Sequence, residues 1–202
     1  MTTEQYQGVK FTYRSRKKTY QYDTRLNRLN YWAYLFAELG LAPAHTGGTY
    51  GNSSYRTGET SFIITRSGMT PSATLDVNAY SHIVGYAEES GTFLTEGVAT
   101  PSSESFLHQY LYQSLPRVNA ILHGHCFLLN MRAEQLGIPV TRNFFDYGTR
   151  ELARSGLELA LEGYSFFLLK DHGFVALGTD IDSAGKLTLH YYGQLVALLR
   201  SA

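Results

Sequence analysis

Two pairs of apolar, strand-like runs in this sequence are joined by turns too short to hold a crossover helix. Residues 81–87 and 92–95 are separated only by residues 88–91, and residues 164–169 are followed by 175–177 across a turn at Gly173. A parallel crossover needs a dozen or more connecting residues, so each pair is expected to be antiparallel. Elsewhere the strands alternate with helices. Residues 24–39 repeat Leu26, Leu29, Trp32, Ala33, Phe36 and Leu39 at spacings of three and four, which puts them on one face, and Gly40 stops the helix. Further helices are expected over 104–115, opened by Pro101, Ser102 and Ser103, and over 127–136, closed by Gly137 and Pro139. Two more run from a Thr149 cap to Leu161 and from Asp182 to about Leu199. Residues 61–65 and 118–122 read as strands, and residues 44–54 as a Gly- and Thr-rich loop. The sum is an α/β fold: a mixed or antiparallel sheet with helices on both faces.

Length and composition narrow the function classes. The sequence has 202 residues, enough for one domain spanning 1–202. Residues 1–23 form a polar, Tyr-rich N-terminal arm, whose basic cluster of Arg14, Arg16, Lys17 and Lys18 reads as a solvated arm or edge strand, or as a phosphate- or partner-binding arm. Hydrophobic residues make up 44% and charged residues 17%, which excludes a disordered chain. With 17 Lys plus Arg against 17 Asp plus Glu, no net field draws nucleic acid or an acidic membrane, so neither is expected as a partner. The single cysteine, Cys126, cannot form an internal disulfide. Residues 1–10 lack the apolar core of a signal peptide, and no apolar run approaches the roughly 20 residues of a membrane span. A soluble cytoplasmic protein is the expectation.

The chemistry-bearing residues gather where strands end. His123-Gly124-His125 follows an apolar strand, and residues two apart in an extended chain point the same way, so both imidazoles can meet one ion. Lys170-Asp171-His172-Gly173 leaves a second apolar strand and supplies a third histidine. Three imidazoles with one open position form a catalytic zinc arrangement, whereas a structural zinc usually has four protein ligands. Asp171 reads equally as a residue orienting a ligand imidazole or as a turn former. Pro101-Ser102-Ser103-Glu104 opens a helix, where free N–H groups and two hydroxyls suit an anion, and Glu104 is a candidate general base. His108, one turn on, is expected to support the site rather than bind metal. The glycine-rich run 47–54 and Thr65-Arg66-Ser67-Gly68 can together cradle a phosphate. Two rival nucleophiles are weaker. Nothing marks Lys170 for a Schiff base, and Cys126 and His125, adjacent on a strand, face opposite ways.

In order, Gly48-Thr49-Tyr50-Gly51-Asn52-Ser53-Ser54, Ile64-Thr65-Arg66-Ser67-Gly68, Pro101-Ser102-Ser103-Glu104, His123-Gly124-His125, Tyr147-Gly148-Thr149-Arg150-Glu151-Leu152-Ala153 and Asp171-His172-Gly173 resemble the class II aldolase/adducin family over about residues 25–200. The resemblance implies a three-layer α/β/α fold with a central mixed, largely antiparallel sheet. It implies a homotetramer with active sites between subunits. It also implies a divalent zinc on His123, His125 and His172, and Glu104 as the acid/base, touching the metal as well. A substrate phosphate would be held by Asn52, Ser67, Gly68, Ser102 and Ser103. The activity so implied is that of a metal-dependent lyase, cleaving or forming a C–C bond in a phosphorylated sugar. Epimerisation, dehydration or decarboxylation on the same ion, or a non-catalytic adducin-like binding role, are the alternatives. The chain departs from the family at Arg66, where a proline is usual, and at Phe144, where the most similar aldolases carry tyrosine; it also closes at Ala202 without the tail that often covers the site.

Overall fold

The computed structural model describes residues 8–201, so residues 1–7 of the expected arm lie outside the described part. In chain order the strands are β1 (Thr12–Lys17), β2 (Ala44–His45), β3 (Gly48–Thr49), β4 (Gly51–Arg56), β5 (Phe62–Thr65), β6 (Tyr80–Ala87), β7 (Thr92–Glu96), β8 (Ala120–Gly124), β9 (Phe166–Leu168) and β10 (Phe174–Gly178). The helices are α1 (Arg25–Glu38), α2 (Ser105–Ser114), α3 (Phe127–Met131), α4 (Arg150–Leu161) and α5 (Ile181–Arg200). Eight strands form the main sheet in the order β1-β7-β6-β5-β4-β8-β10-β9, and β2 and β3 pair apart from it. Among the described strand pairs of this sheet only β1–β7 is parallel, so the sheet is mixed and largely antiparallel. Both short turns join antiparallel neighbours, β6 with β7 and β9 with β10, as their length requires. Strand β1 carries Arg14, Arg16 and Lys17 on the sheet's edge, exposed along its length.

The apolar strands are uninterrupted because the sheet is covered on both faces. Leu122, Phe166, Leu168, Phe174 and Ala176 pack with Leu26, Leu29, Trp32 and Phe36 of α1 and with Ile181, Ala184 and Leu195 of α5. Their neighbours Ile121, Phe167, Val175 and Leu177 turn to the other face, against Phe106, Leu107 and Leu111 of α2 and Leu152 and Ala153 of α4. The alternation follows from the two-residue period of a strand. Among the described residues, no helix is long and apolar enough to cross a membrane.

Several boundaries differ from the sequence reading, among them that of β9, which spans Phe166–Leu168 within the expected run 164–169. The run 44–54, expected as a loop, folds into the β2–β3 hairpin and the start of β4, which lies in the middle of the sheet. Its polar Asn52, Ser53 and Ser54 disguise a central strand; each is buried and bonded. Gly51 lets that strand in: a Cβ there would stand 2.7 Å from the His123 carbonyl oxygen. Strand β8 runs on to Gly124, taking His123 into the sheet. Helix α3 stops at Met131, since Phe127, Leu128 and Met131 are exposed and only Leu129 holds it to the core. Helix α5 is capped by Asp180, which shares a capping box with Ser183, while Asp182 in the first turn accepts from Trp32 Nε1 at 2.8 Å and Arg28 Nε at 3.0 Å.

Those bonds tie α5 to α1 at a point where Gly185 meets the Trp32 ring, 2.3 Å from where a Cβ would sit. Replacing an exposed helical glycine by alanine stabilises a helix by about 1 kcal/mol. Gly185→Ala is expected to do the opposite, costing about 1–3 kcal/mol through overpacking, and urea unfolding of the two proteins measures the sign.

Candidate functional site

Strand register and one helix end build the site. Asn52 on β4 lies directly opposite His123 on β8, so both side chains leave the same face of the sheet. Helix α2 starts above them, with Glu104 as its N-cap residue. Glu104 makes no side-chain cap bond, so its carboxylate turns inward and is 5% exposed. His125 follows the end of β8, and His172 comes from the turn between β9 and β10, which brings it beside β8 because β10 and β8 are paired. Asp171 in that turn is exposed with φ 54°, a left-handed turn former, which decides between its two readings.

The ligand nitrogens of His123, His125 and His172 all lie within 4.8 Å of one another. The His125 and His123 Nε2 atoms are 3.1 Å apart, close to the roughly 3.3 Å expected of two nitrogens on one tetrahedral zinc ion. The Glu104 carboxylate closes the group, with Oε1 2.7 Å from His172 Nε2 and Oε2 2.9 Å from His123 Nε2. Asn52 Nδ2 donates to Oε2 at 2.8 Å. His123 Nδ1 donates to the Phe174 carbonyl at 2.7 Å, which turns Nε2 toward the group. Bare nitrogens and a carboxylate converging in a buried space repel one another unless protons or a cation lie between them. The donor set therefore fits a divalent ion, with imidazole nitrogen and carboxylate oxygen matching zinc.

Electrostatics agree. Burial alone pushes the Glu104 carboxyl up, but the charges and hydrogen bonds of His123 and His172 outweigh it and hold the group well below the usual carboxylate range. Burial, then His172 and His123, hold His125 well below the usual imidazole range, which keeps it neutral. His108 is fully enclosed by Asn52 and Ser54 and does not join the histidine group.

A cleft opens over this group. Its walls bring Ser67, Gly68, Ser102, Ser103 and Asn52 together with Glu104, His125 and His172, while His123 sits behind them, 1% exposed. Arg66 lines the same cleft, and among the described residues its guanidinium has no hydrogen bond or ion pair. Tyr147 reaches the cleft; Phe144 is exposed and does not line it. Lys170 points outward, its Nζ near the Arg142 carbonyl, and burial raises the Cys126 thiol, so neither rival nucleophile is supported. One wall escaped the sequence reading. The Tyr50 ring stacks on His125 with centroids 5.4 Å apart, and His45 lies 4.3 Å beyond it. No spacing rule in the sequence marks this aromatic pair.

With that geometry in hand, the likeness to known proteins becomes informative. Residues 31–192 match the family described as "Class II Aldolase and Adducin N-terminal domain". The 5-methylthioribulose-1-phosphate/5-deoxyribulose-1-phosphate aldolase of Rhodospirillum rubrum is 30% identical over 158 residues, covering 70% of this chain and 67% of that protein. Among solved structures, a sugar-phosphate aldolase from Thermotoga maritima superposes with TM-score 0.70 at 21% identity, over 87% of this chain and 94% of the other. An L-fuculose-1-phosphate aldolase from Thermus thermophilus gives 0.66 at 21% identity, over 89% and 95%. At such identities the structural likeness is one of fold.

Burial also predicts a pH response. His108 is pushed down to about 3, chiefly by burial and then by His123. An unfolded histidine takes a proton near pH 6.5, so stability from the neutral buried ring is fully present above that pH and is lost as pH falls toward 3. His125 and Glu104 shift downward too, so all three act in the same direction. Urea unfolding of the metal-free protein is expected to show stability falling as pH drops below about 6.5, and His108→Gln should flatten the slope between pH 6 and 4.

Proposed function

The chain belongs to the class II aldolase and adducin family, and on that premise we propose that it is a metal-dependent aldolase, cleaving or forming a C–C bond in a phosphorylated sugar. The observation that carries this reading is the convergence of three imidazoles on one buried carboxylate at the floor of a cleft. His123, His125 and His172 would hold the ion, for which zinc is the choice. When bound there, a divalent ion polarises a carbonyl oxygen and offsets the negative charge that develops on oxygen as the C–C bond breaks.

The rest falls to the side chains. In the cleavage direction, the hydroxyl on the carbon that becomes the aldehyde gives up its proton, and the carbon next to the ketone gains one. Glu104, held ionised within the ligand group, is the base that takes the first proton and, once protonated, the acid that returns it to carbon. Ser67, Gly68, Ser102, Ser103 and Asn52 take the substrate phosphate, with the Arg66 guanidinium as an additional clamp where the family usually has proline. The Tyr50–His125 stack gives the sugar chain an apolar wall. A 1-phosphorylated ketopentose, the substrate type named for the Rhodospirillum rubrum relative, is the first compound to test. The working unit proposed is a homotetramer; the exposed Phe127, Leu128 and Met131 on α3, just past His125, suit burial against a neighbouring copy.

Elemental analysis should find about one zinc per chain, lost in His123→Ala together with retro-aldol turnover followed by product trapping. Absence of metal from the wild type after zinc is supplied would refute the assignment. Arg66→Ala is expected to raise KM for a phosphorylated ketose by about 10-fold or more, the loss of a charge-assisted hydrogen bond, and to leave KM for the unphosphorylated sugar unchanged.

A further inference from the structure

Behind Glu104 a chain of hydrogen bonds runs from the reaction centre into the core, and each of its protons can be placed by chemistry alone. Glu104 is ionised and can only accept, so the Asn52 amide presents its N–H to Oε2 at 2.8 Å. Asn52 Oδ1 then faces His108 Nε2 at 2.5 Å, and since a carbonyl oxygen only accepts, Nε2 carries the proton. His108 is neutral, so its Nδ1 is bare and accepts from Ser54 Oγ at 2.6 Å. Ser54 Oγ in turn accepts from the Tyr112 hydroxyl at 2.7 Å.

The chain is a consequence of matched periods. Glu104, His108 and Tyr112 are spaced by four on α2, and Asn52 and Ser54 by two on β4. Four helical residues advance about 6 Å and two strand residues about 6.7 Å, so one face of the helix stays in step with one face of the strand. His108 and Ser54 are 0% exposed and Tyr112 is 2% exposed, so no water competes for these bonds. Nor is the chain a proton wire. Its inner end is a phenol that burial holds in its neutral form.

We propose that His108 is a positioning residue: as the Nε2–H tautomer, fixed from behind by Ser54 and Tyr112, it locks the Asn52 amide with its N–H toward Glu104 and so sets the carboxylate's orientation in the reaction centre. The inference rests on the acid–base role proposed for Glu104. Without His108 the amide can flip, turning its oxygen toward an anionic carboxylate. Removing a side chain that orients a catalytic group typically costs about 10–100-fold in activity.

The test has two arms. Long-range 1H–15N correlation on zinc-loaded protein labelled in its imidazoles should show His108 with a protonated Nε2 and a bare Nδ1 from pH 6 to 9. A proton on Nδ1, or a charged ring, would overturn the proposal. In the zinc-loaded enzyme, His108→Leu is expected to lower kcat about 10–100-fold with KM within about threefold and zinc content unchanged. His108→Gln, whose amide N–H can still reach Asn52, should recover most of that loss. Equal losses in both variants, or zinc lost in step with kcat, would mean a merely structural role and overturn the proposal. If no sugar phosphate is turned over at all, the functional reading fails, while the tautomer measurement still decides the locked geometry.

Discussion

A carboxylate buried among imidazoles is the constraint around which this molecule is arranged. Glu104 is 5% exposed, and an ionised carboxyl there is tolerable only because His123, His172 and Asn52 surround its two oxygens. Each of those groups needs its own support. The Phe174 carbonyl fixes the His123 ring, and His108 and Ser54 stand behind Asn52. The polar centre therefore extends from the cleft down into the sheet, which explains why β4, a central strand, carries Asn52, Ser53 and Ser54 where its neighbours are apolar.

The sheet supplies what such a group needs, a floor that does not move. β4, β8 and β10 are adjacent, buried on both faces and packed against helices from each side. His123 and Asn52 leave this floor as a cross-strand pair, and His125 and His172 rise from its end. Glu104 comes from the opposite layer, at the start of α2, so the group is assembled between a rigid sheet and a helix end. Groups set on strands and helix ends are held more closely than groups on long loops, and orientation within a few tenths of an ångström is what acid–base chemistry requires.

The cleft wall is less constrained than its floor. Arg66, Tyr50 and His45 stand on or beside the short segments that flank β4 and β5, partly exposed, and their exchange would disturb no core packing. Side chains on such a wall can vary without leaving a cavity or an unpaired buried group.

By itself the sequence determined the features that rest on local periodicity and on residue chemistry. The three- and four-residue spacing of α1, the two short turns, the Thr149 cap of α4 and the apolar runs of β8 to β10 were legible because they depend on neighbours in the chain. The histidines, Glu104 and the serine-rich segments were legible as chemical types at strand and helix ends. Only the tertiary structure decided that the polar run at 51–56 is a central strand, that Asp171 is a turn residue, and that Glu104 faces the histidines. It also set α2 over β4 so that Asn52, Ser54, His108 and Tyr112 form one chain of bonds. Strand order and the packing of a helix on a sheet join residues some fifty positions apart; no local pattern encodes such a meeting, because the contacts that make it favourable exist only once both faces are buried.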